Sequence, residues 1–163
     1  MSNAKKLLYL VIHCTATPEG RVVTSSDIRK WHTAPPPVGR GWKQVGYSDI
    51  IGLDGKVVNL VPYDDNEYVE PWEITNGVAG INNVSRHVVY VGGIDANMKA
   101  KDTRTPEQHT ALTYYVSKFV QWHPNILIAG HNQFDKTKAC PSFDVPQWLR
   151  EIGINKKNIY RPK

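Results

Sequence analysis

Several short stretches of the chain are apolar enough to be strands. Leu7 to Cys14 is a continuous apolar run of strand length, which predicts a central strand covered on both faces. Tyr47 to Leu53 and Lys56 to Val61 flank Asp54-Gly55, and Asp-Gly between two β-rich runs predicts a hairpin. Ser85 to Val91 reads as another buried strand, closed by Gly92-Gly93, and Ile126 to Ala129 as the last. Between these runs the period changes to that of a helix. Thr24 or Ser25 is a suitable N-cap with Asp27 in the first turn, Ile28 and Trp31 make an apolar face, and Pro35-Pro36-Pro37 ends the element. Thr105-Pro106-Glu107-Gln108 has the cap, the first-turn Pro and the Gln of a helix start. Leu112, Tyr115, Val116 and Phe119 then recur at helical spacing as far as Trp122-His123-Pro124. Asp144 caps a short third helix with Trp148, Leu149 and Ile152 inward, and Pro62 to Val84 keeps no period and reads as loop with at most a short helical turn.

Strands alternating with helices predict an α/β fold, a single domain with a central mixed β-sheet of about five strands flanked by about three helices. The domain is expected over residues 7–152. Residues 1–6 are expected as an N-terminal tail, with Ser2-Asn3-Ala4 a cloning remnant, and 153–163 as a basic C-terminal tail. In open sheets of this kind, sites gather beyond the C-terminal ends of the strands, and His13 and His131 both fall there.

Composition adjusts this picture in a few places. A chain of 163 residues buries about 70% of its unfolded surface and needs neither metal nor disulfide to fold. The longest apolar run is far short of the ~20 residues of a membrane span, so no membrane insertion is expected. Lys5-Lys6 before Leu7 imitates a signal peptide only faintly, because the run is too short and His13-Cys14-Thr15 is a poor cleavage site. The net charge of +5 favours anionic polymers, nucleic acid or bacterial cell wall. No single element interleaves basic with aromatic residues, which argues against nucleic acid. Counting permits a Cys14–Cys140 disulfide, but no secretory signal supports an oxidising compartment.

The candidate chemistry centres on Gly130 to Pro141, which brings His131, Lys138 and Cys140 onto one loop after a strand. With His13 they make a set of two imidazoles and one thiolate, which suits zinc and leaves a fourth position open. A structural role for His131 competes with this reading. Successive strand side chains point to opposite faces, so either His13 or Cys14 faces the cleft, but not both. Tyr47 reads either as a core tyrosine at a strand edge or as a hydroxyl directed at the site. Lys138 is either a surface lysine or, if the loop is extended, a cation on the same side as Cys140, with Lys136 ranked below it. Of the other histidines, His123 ends a helix where imidazolium suits the dipole, His109 lies exposed in a first turn, His32 sits near a helix end, and His87 lies inside a strand with no evident role.

Taken together, Val11-Ile12-His13-Cys14-Thr15-Ala16-Thr17, Arg40-Gly41-Trp42, Val45-Gly46-Tyr47, Tyr90-Val91-Gly92-Gly93-Ile94-Asp95, Asp102-Thr103-Arg104-Thr105, Gly130-His131 and Lys138-Ala139-Cys140-Pro141-Ser142-Phe143-Asp144-Val145 are specific in their order and spacing. In them the chain resembles the type 2 N-acetylmuramoyl-L-alanine amidases, the superfamily of T7 phage lysozyme and the peptidoglycan recognition proteins. The resemblance implies one Zn2+ bound by His13, His131 and Cys140, with Tyr47 and Lys138 as catalytic helpers. It implies peptidoglycan (muramyl peptides) as partner and, as the bond cut, the amide between N-acetylmuramic acid and L-alanine. A monomer is expected, without nucleic acid, held in the cytoplasm until release to the wall in the manner of a phage or prophage lysin. The alternative is a peptidoglycan-binding module without catalysis, but binders of this superfamily tend to lose the Cys ligand, which this chain keeps. Three positions depart from the family pattern: Ser48 after Gly-Tyr, Gly77-Val78-Ala79-Gly80 where a His is common, and Asn132-Gln133 after Gly130-His131.

Overall fold

The computed structural model describes residues 3–163. Along them run β1 (Lys5–Lys6), β2 (Tyr9–Cys14), β3 (Thr17–Pro18), α1 (Ser25–Thr33), β4 (Asp49–Ile51), β5 (Val57–Asn59), β6 (Tyr68–Val69), β7 (Ser85–Tyr90), β8 (Gly93–Ile94), α2 (Pro106–Trp122), β9 (Leu127–Gly130) and α3 (Val145–Glu151). The central five-stranded sheet has the order β5-β4-β7-β2-β9. β2 lies parallel to both β7 and β9, β4 parallel to β7, and β5 antiparallel to β4 through the hairpin. The expected mixed sheet and its three flanking α-helices are both present.

Alternation along the strands divides the core into two layers. Leu10, Ile12 and Cys14 of β2, with Val88, Tyr90 and Ile128, meet Leu112, Val116 and Phe119 of α2 and Trp148 and Leu149 of α3. On the opposite face, Ile50 and Val89 meet Val23 and Ile28 of the α1 layer, with Tyr47 packed against them. The helices begin where their caps dictate. Thr24 and Asp27 make a reciprocal capping box for α1, Thr105 and Gln108 do the same for α2, and Asp144 accepts from the Gln147 amide at α3.

The differences from expectation have local causes. Tyr47 precedes its strand, since β4 starts at Asp49. Residues 62–84 contain β6 and two 3₁₀ turns, Pro71–Glu73 and Asn82–Val84. The structure also differs from the expected tails. Lys5–Lys6 pairs antiparallel with β6. Asn158 is fully buried and donates to the carbonyls of Pro124 (2.8 Å) and Ile126 (2.9 Å), while the Tyr160 amide bonds Ile128 O at 3.0 Å. The β9 edge has backbone groups that need partners, and this segment supplies them. Lysines dominate its composition and hide the buried Ile159 between them. His123 caps α2 as expected, but burial lowers its pKa, which disfavours the imidazolium form at that helix end.

Candidate metal centre

His13 lies near the end of β2 and is buried with 1% exposure. It shares a face with Val11, toward the α1 layer, while Cys14 points into the α2–α3 core. The strand thus decides the alternative in favour of His13 at the cleft. His131 opens a 3₁₀ turn immediately after β9. Because β9 runs parallel to β2, the two imidazoles meet at the same end of the sheet, with ring centroids 4.8 Å apart. Cys140 arrives on a loop anchored from several sides. Its carbonyl accepts from the Asn132 amide at 2.8 Å, and its sulfur accepts from the Cys14 amide at 3.2 Å. The Tyr90 hydroxyl donates to Pro141 O at 2.6 Å, and Ser142 Oγ donates to Gly93 O at 2.8 Å. Gly93 has φ +108°, and a Cβ there would collide with the Cys14 sulfur, so this approach requires glycine. Both cysteines are free thiols.

One donor atom each from His13, His131 and Cys140 lies within 4.8 Å of the others. The separation of Cys140 Sγ from His13 Nδ1 is 3.7 Å. A tetrahedral zinc with ordinary Zn–S and Zn–N bonds sets this edge at about 3.6 Å. The electrostatics agree with the geometry. Burial holds both imidazoles below their usual range, with the neighbouring histidines adding to the effect at His13, so their lone pairs are free. Hydrogen bonding with Cys14 and burial push the Cys140 thiol well above its ordinary range, so its thiolate requires an adjacent cation. The donor set fits zinc.

Tyr47 is half-buried beside this cluster, its ring 5.1 Å from that of His13. Burial, with the nearby Cys140 sulfur contributing, raises its phenol above the usual range, so the hydroxyl stays protonated and is available to donate. Lys138 is exposed and reaches the site from a turn, not from an extended segment, because its amide bonds Asp135 O at 3.1 Å. It lines an open cleft of about 590 Å³ with Arg40, Trp42, Lys43, His131 and Asp135.

The family model for N-acetylmuramoyl-L-alanine amidase matches residues 3–143. The chain belongs to the N-acetylmuramoyl-L-alanine amidase family. It is 36% identical over 140 residues to the endolysin of Klebsiella phage KP32 and 34% identical over 139 residues to that of Enterobacteria phage K11. Each alignment covers 85% of this chain and 83% of the relative. The fold also matches the Ph2119 endolysin from a Thermus scotoductus bacteriophage, with a TM-score of 0.67 at 22% identity over 98% of this chain and 90% of that one. The chain is thus an amidase of the muramoyl–L-alanine bond, and peptidoglycan is its substrate polymer.

Several motifs of this amidase prove to be supports for the site. Arg104 pairs with Asp102 and lies 3.5 Å over the Phe143 ring, while Thr103 Oγ1 accepts from the Gly93 amide. Arg104 thus clamps the loop that follows Cys140, and Thr103 fixes Gly93, whose carbonyl accepts from Ser142 of that loop. Three residues packed behind the candidate site escaped sequence reasoning. His32 Nδ1 accepts from the Gly46 amide at 2.9 Å, and its ring lies 5.3 Å from that of Tyr47, so it holds the turn that carries the phenol. His87 and Asn82 form a chain behind His13. A histidine inside an otherwise apolar strand was the available signal for His87, since a buried imidazole needs partners.

His32 also makes a pH prediction. Burial, with Arg40 adding to it, lowers its pKa to about 4, against about 6.5 when unfolded. The folded state prefers the neutral ring, so this contribution is complete above pH ~6.5 and is lost as pH falls toward about 4. The Tm of the native amidase should fall over that window, and His32→Gln should flatten part of the slope. Identical slopes in thermal melts between pH 7 and 4.5 would remove His32 from this account.

Proposed function

We propose that this amidase is zinc-dependent, with His13, His131 and Cys140 as ligands and Tyr47 and Lys138 serving the chemistry at the lactyl–L-alanine amide. The observation that carries the reading is the convergence of two neutral imidazoles and a cysteine within 4.8 Å at the mouth of a cationic cleft. A zinc ion there would supply Lewis acidity to the scissile carbonyl and an acidified water. Two neutral imidazoles and one thiolate leave that ion one unit of positive charge. The protonated Tyr47 hydroxyl donates toward the reacting carbonyl or the departing amine. The Lys138 ammonium balances the negative charge that grows on the carbonyl oxygen. Arg40 and Lys43 extend the same cationic wall, which suits the carboxylates of a stem peptide. The chain acts as a monomer, reaching the wall after release from the cell.

The deciding experiment is hydrolysis of a defined muramyl peptide with zinc, after chelation, and after zinc is restored, reading the new L-alanine amino terminus. Activity that follows zinc supports the proposal, and cleavage indifferent to chelation sinks it. Absence of cleavage in protein with bound zinc would favour a binding module. Tyr47→Phe and Lys138→Met should each retain zinc and lose about 10²–10³ in kcat, the usual scale for one donor to a developing charge. An unchanged kcat in either variant, with metal content verified, removes that residue from the mechanism.

A further inference from the structure

We infer that Asn82 and His87 are positioning residues that set the tautomer of His13 and thereby present its Nδ1 as the metal donor. The inference rests on the ligand assignment proposed above and extends it to residues outside the proposed ligand set.

The relay follows from strand register. In the parallel β2–β7 pair, Val11 sits opposite His87 and His13 opposite Val89. His13 and His87 therefore share one face on a diagonal, with ring centroids 5.0 Å apart. His87 is fully buried, and both of its ring nitrogens are engaged. Its Nδ1 lies 2.9 Å from His13 Nε2, and its Nε2 lies 3.0 Å from Asn82 Oδ1.

The direction of these bonds can be derived from the far end. Asn82 Oδ1 accepts from the backbone amide of Val78 at 2.8 Å, which identifies that atom as the carbonyl oxygen. The His87 nitrogen facing it must carry the proton. A neutral imidazole has one N–H, so His87 Nδ1 is an acceptor, and His13 Nε2 must donate to it. The lone pair of His13 is left on Nδ1, the atom 3.7 Å from Cys140 Sγ. With the opposite tautomer, two lone pairs would face each other across 2.9 Å and a proton would point at the ligand cluster. An amide in the Asn82–Val84 turn thus selects, through two imidazole rings, the donor atom of a ligand on β2.

The surroundings are shaped for this ring. A Cβ at Gly77 would collide with the His87 imidazole, so the absence of a side chain at 77 makes its room. Asn76 Nδ2 donates to Gln44 O at 2.8 Å and the Asn76 amide to Val45 O at 3.0 Å, which ties the start of this segment to the turn that carries Tyr47. Outer partners of this kind commonly change metal affinity by about 10–100-fold when removed.

The test measures zinc affinity by competition with a chromophoric chelator, and the His13 tautomer by long-range ¹H–¹⁵N correlation in zinc-free protein. The proteins are the native chain and Asn82→Leu, Asn82→Asp, His87→Phe and Cys140→Ser. Asn82→Leu should weaken zinc about 10–100-fold and depopulate the Nε2–H tautomer of His13, while Asn82→Asp, which keeps an acceptor oxygen, should restore both. His87→Phe should weaken zinc similarly, and if it fails to fold, the Asn82 pair decides. Zinc affinity within twofold of native and an unmoved tautomer in Asn82→Leu, with zinc lost in Cys140→Ser, overturns the relay and leaves the metal site standing. Native zinc affinity in Cys140→Ser overturns both.

Discussion

Cys140→Ser should lose zinc and reduce amide hydrolysis to background. A serine hydroxyl does not ionise near neutral pH, and it replaces a soft thiolate with a poor ligand for zinc. The backbone at this position has little reason to move. The Asn132 amide still bonds the residue's carbonyl, Tyr90 still holds Pro141 O, and Ser142 still holds Gly93 O. Under the proposed ligand assignment the interaction lost is therefore metal ligation, with the fold retained. Thermal melts separate the two. Zinc at about 1,000 times its Kd stabilises a folded protein by about 4 kcal/mol, so the native chain should gain several degrees in Tm on saturation and the variant should gain none. Binding to insoluble peptidoglycan should survive, because the cationic cleft is untouched. Full hydrolysis by Cys140→Ser, at stoichiometric protein and with free metal scavenged, would sink the ligand assignment.

The second large effect concerns stability. Arg86→Ala should destabilise the domain by about 3–5 kcal/mol, a fall in Tm of roughly 6–20 °C for a chain of this size. Arg86 and Glu73 form an ion pair at 2.9 Å with side-chain exposures of 1% and 0%. Glu73 Oε1 also accepts from the Asp64 amide at 2.9 Å, and Oε2 from the Glu70 amide at 2.8 Å. Arg86 lies 4.8 Å over the Tyr63 ring. One carboxylate therefore organises much of segment 62–84 and fastens it to β7. Removal of the arginine alone leaves that carboxylate buried and uncompensated, which costs more than the pair contributes. Arg86→Met combined with Glu73→Gln should recover part of the loss. A denaturant-unfolding difference below about 1 kcal/mol for Arg86→Ala would overturn this account. The same segment carries Asn76, Gly77 and Asn82 along the cleft, so activity should decline at temperatures where the native chain still works.

Much of the candidate site was legible because its residues are local to one loop or strand-terminal. His13 and His131 close apolar runs, Cys140 and Lys138 follow on one loop, and the motif spacing joined them into a family. The supports were less legible. His32 read as a helix-end residue because its partner, the Gly46 amide, lies across a loop. The 153–163 segment read as a tail because its lysines outnumber the two groups, Asn158 and Ile159, that are buried against β9. Lys138 lies on the loop after β9 in a turn and not in an extended run.

The sequence by itself determined the three helices, their starts and the hairpin, since caps such as Thr105 with Gln108 and the Asp54-Gly55 turn act through bonds between near neighbours. Residue type also limited the candidate metal chemistry to a set of imidazoles and a thiolate that suits zinc. Only the tertiary structure decided that His13 and not Cys14 faces the cleft, that His87 backs His13, and that Arg86 meets Glu73. These outcomes depend on strand register and on which layer covers each sheet face. A shift of one residue would exchange the two faces, and that choice is made by the packing of the whole domain.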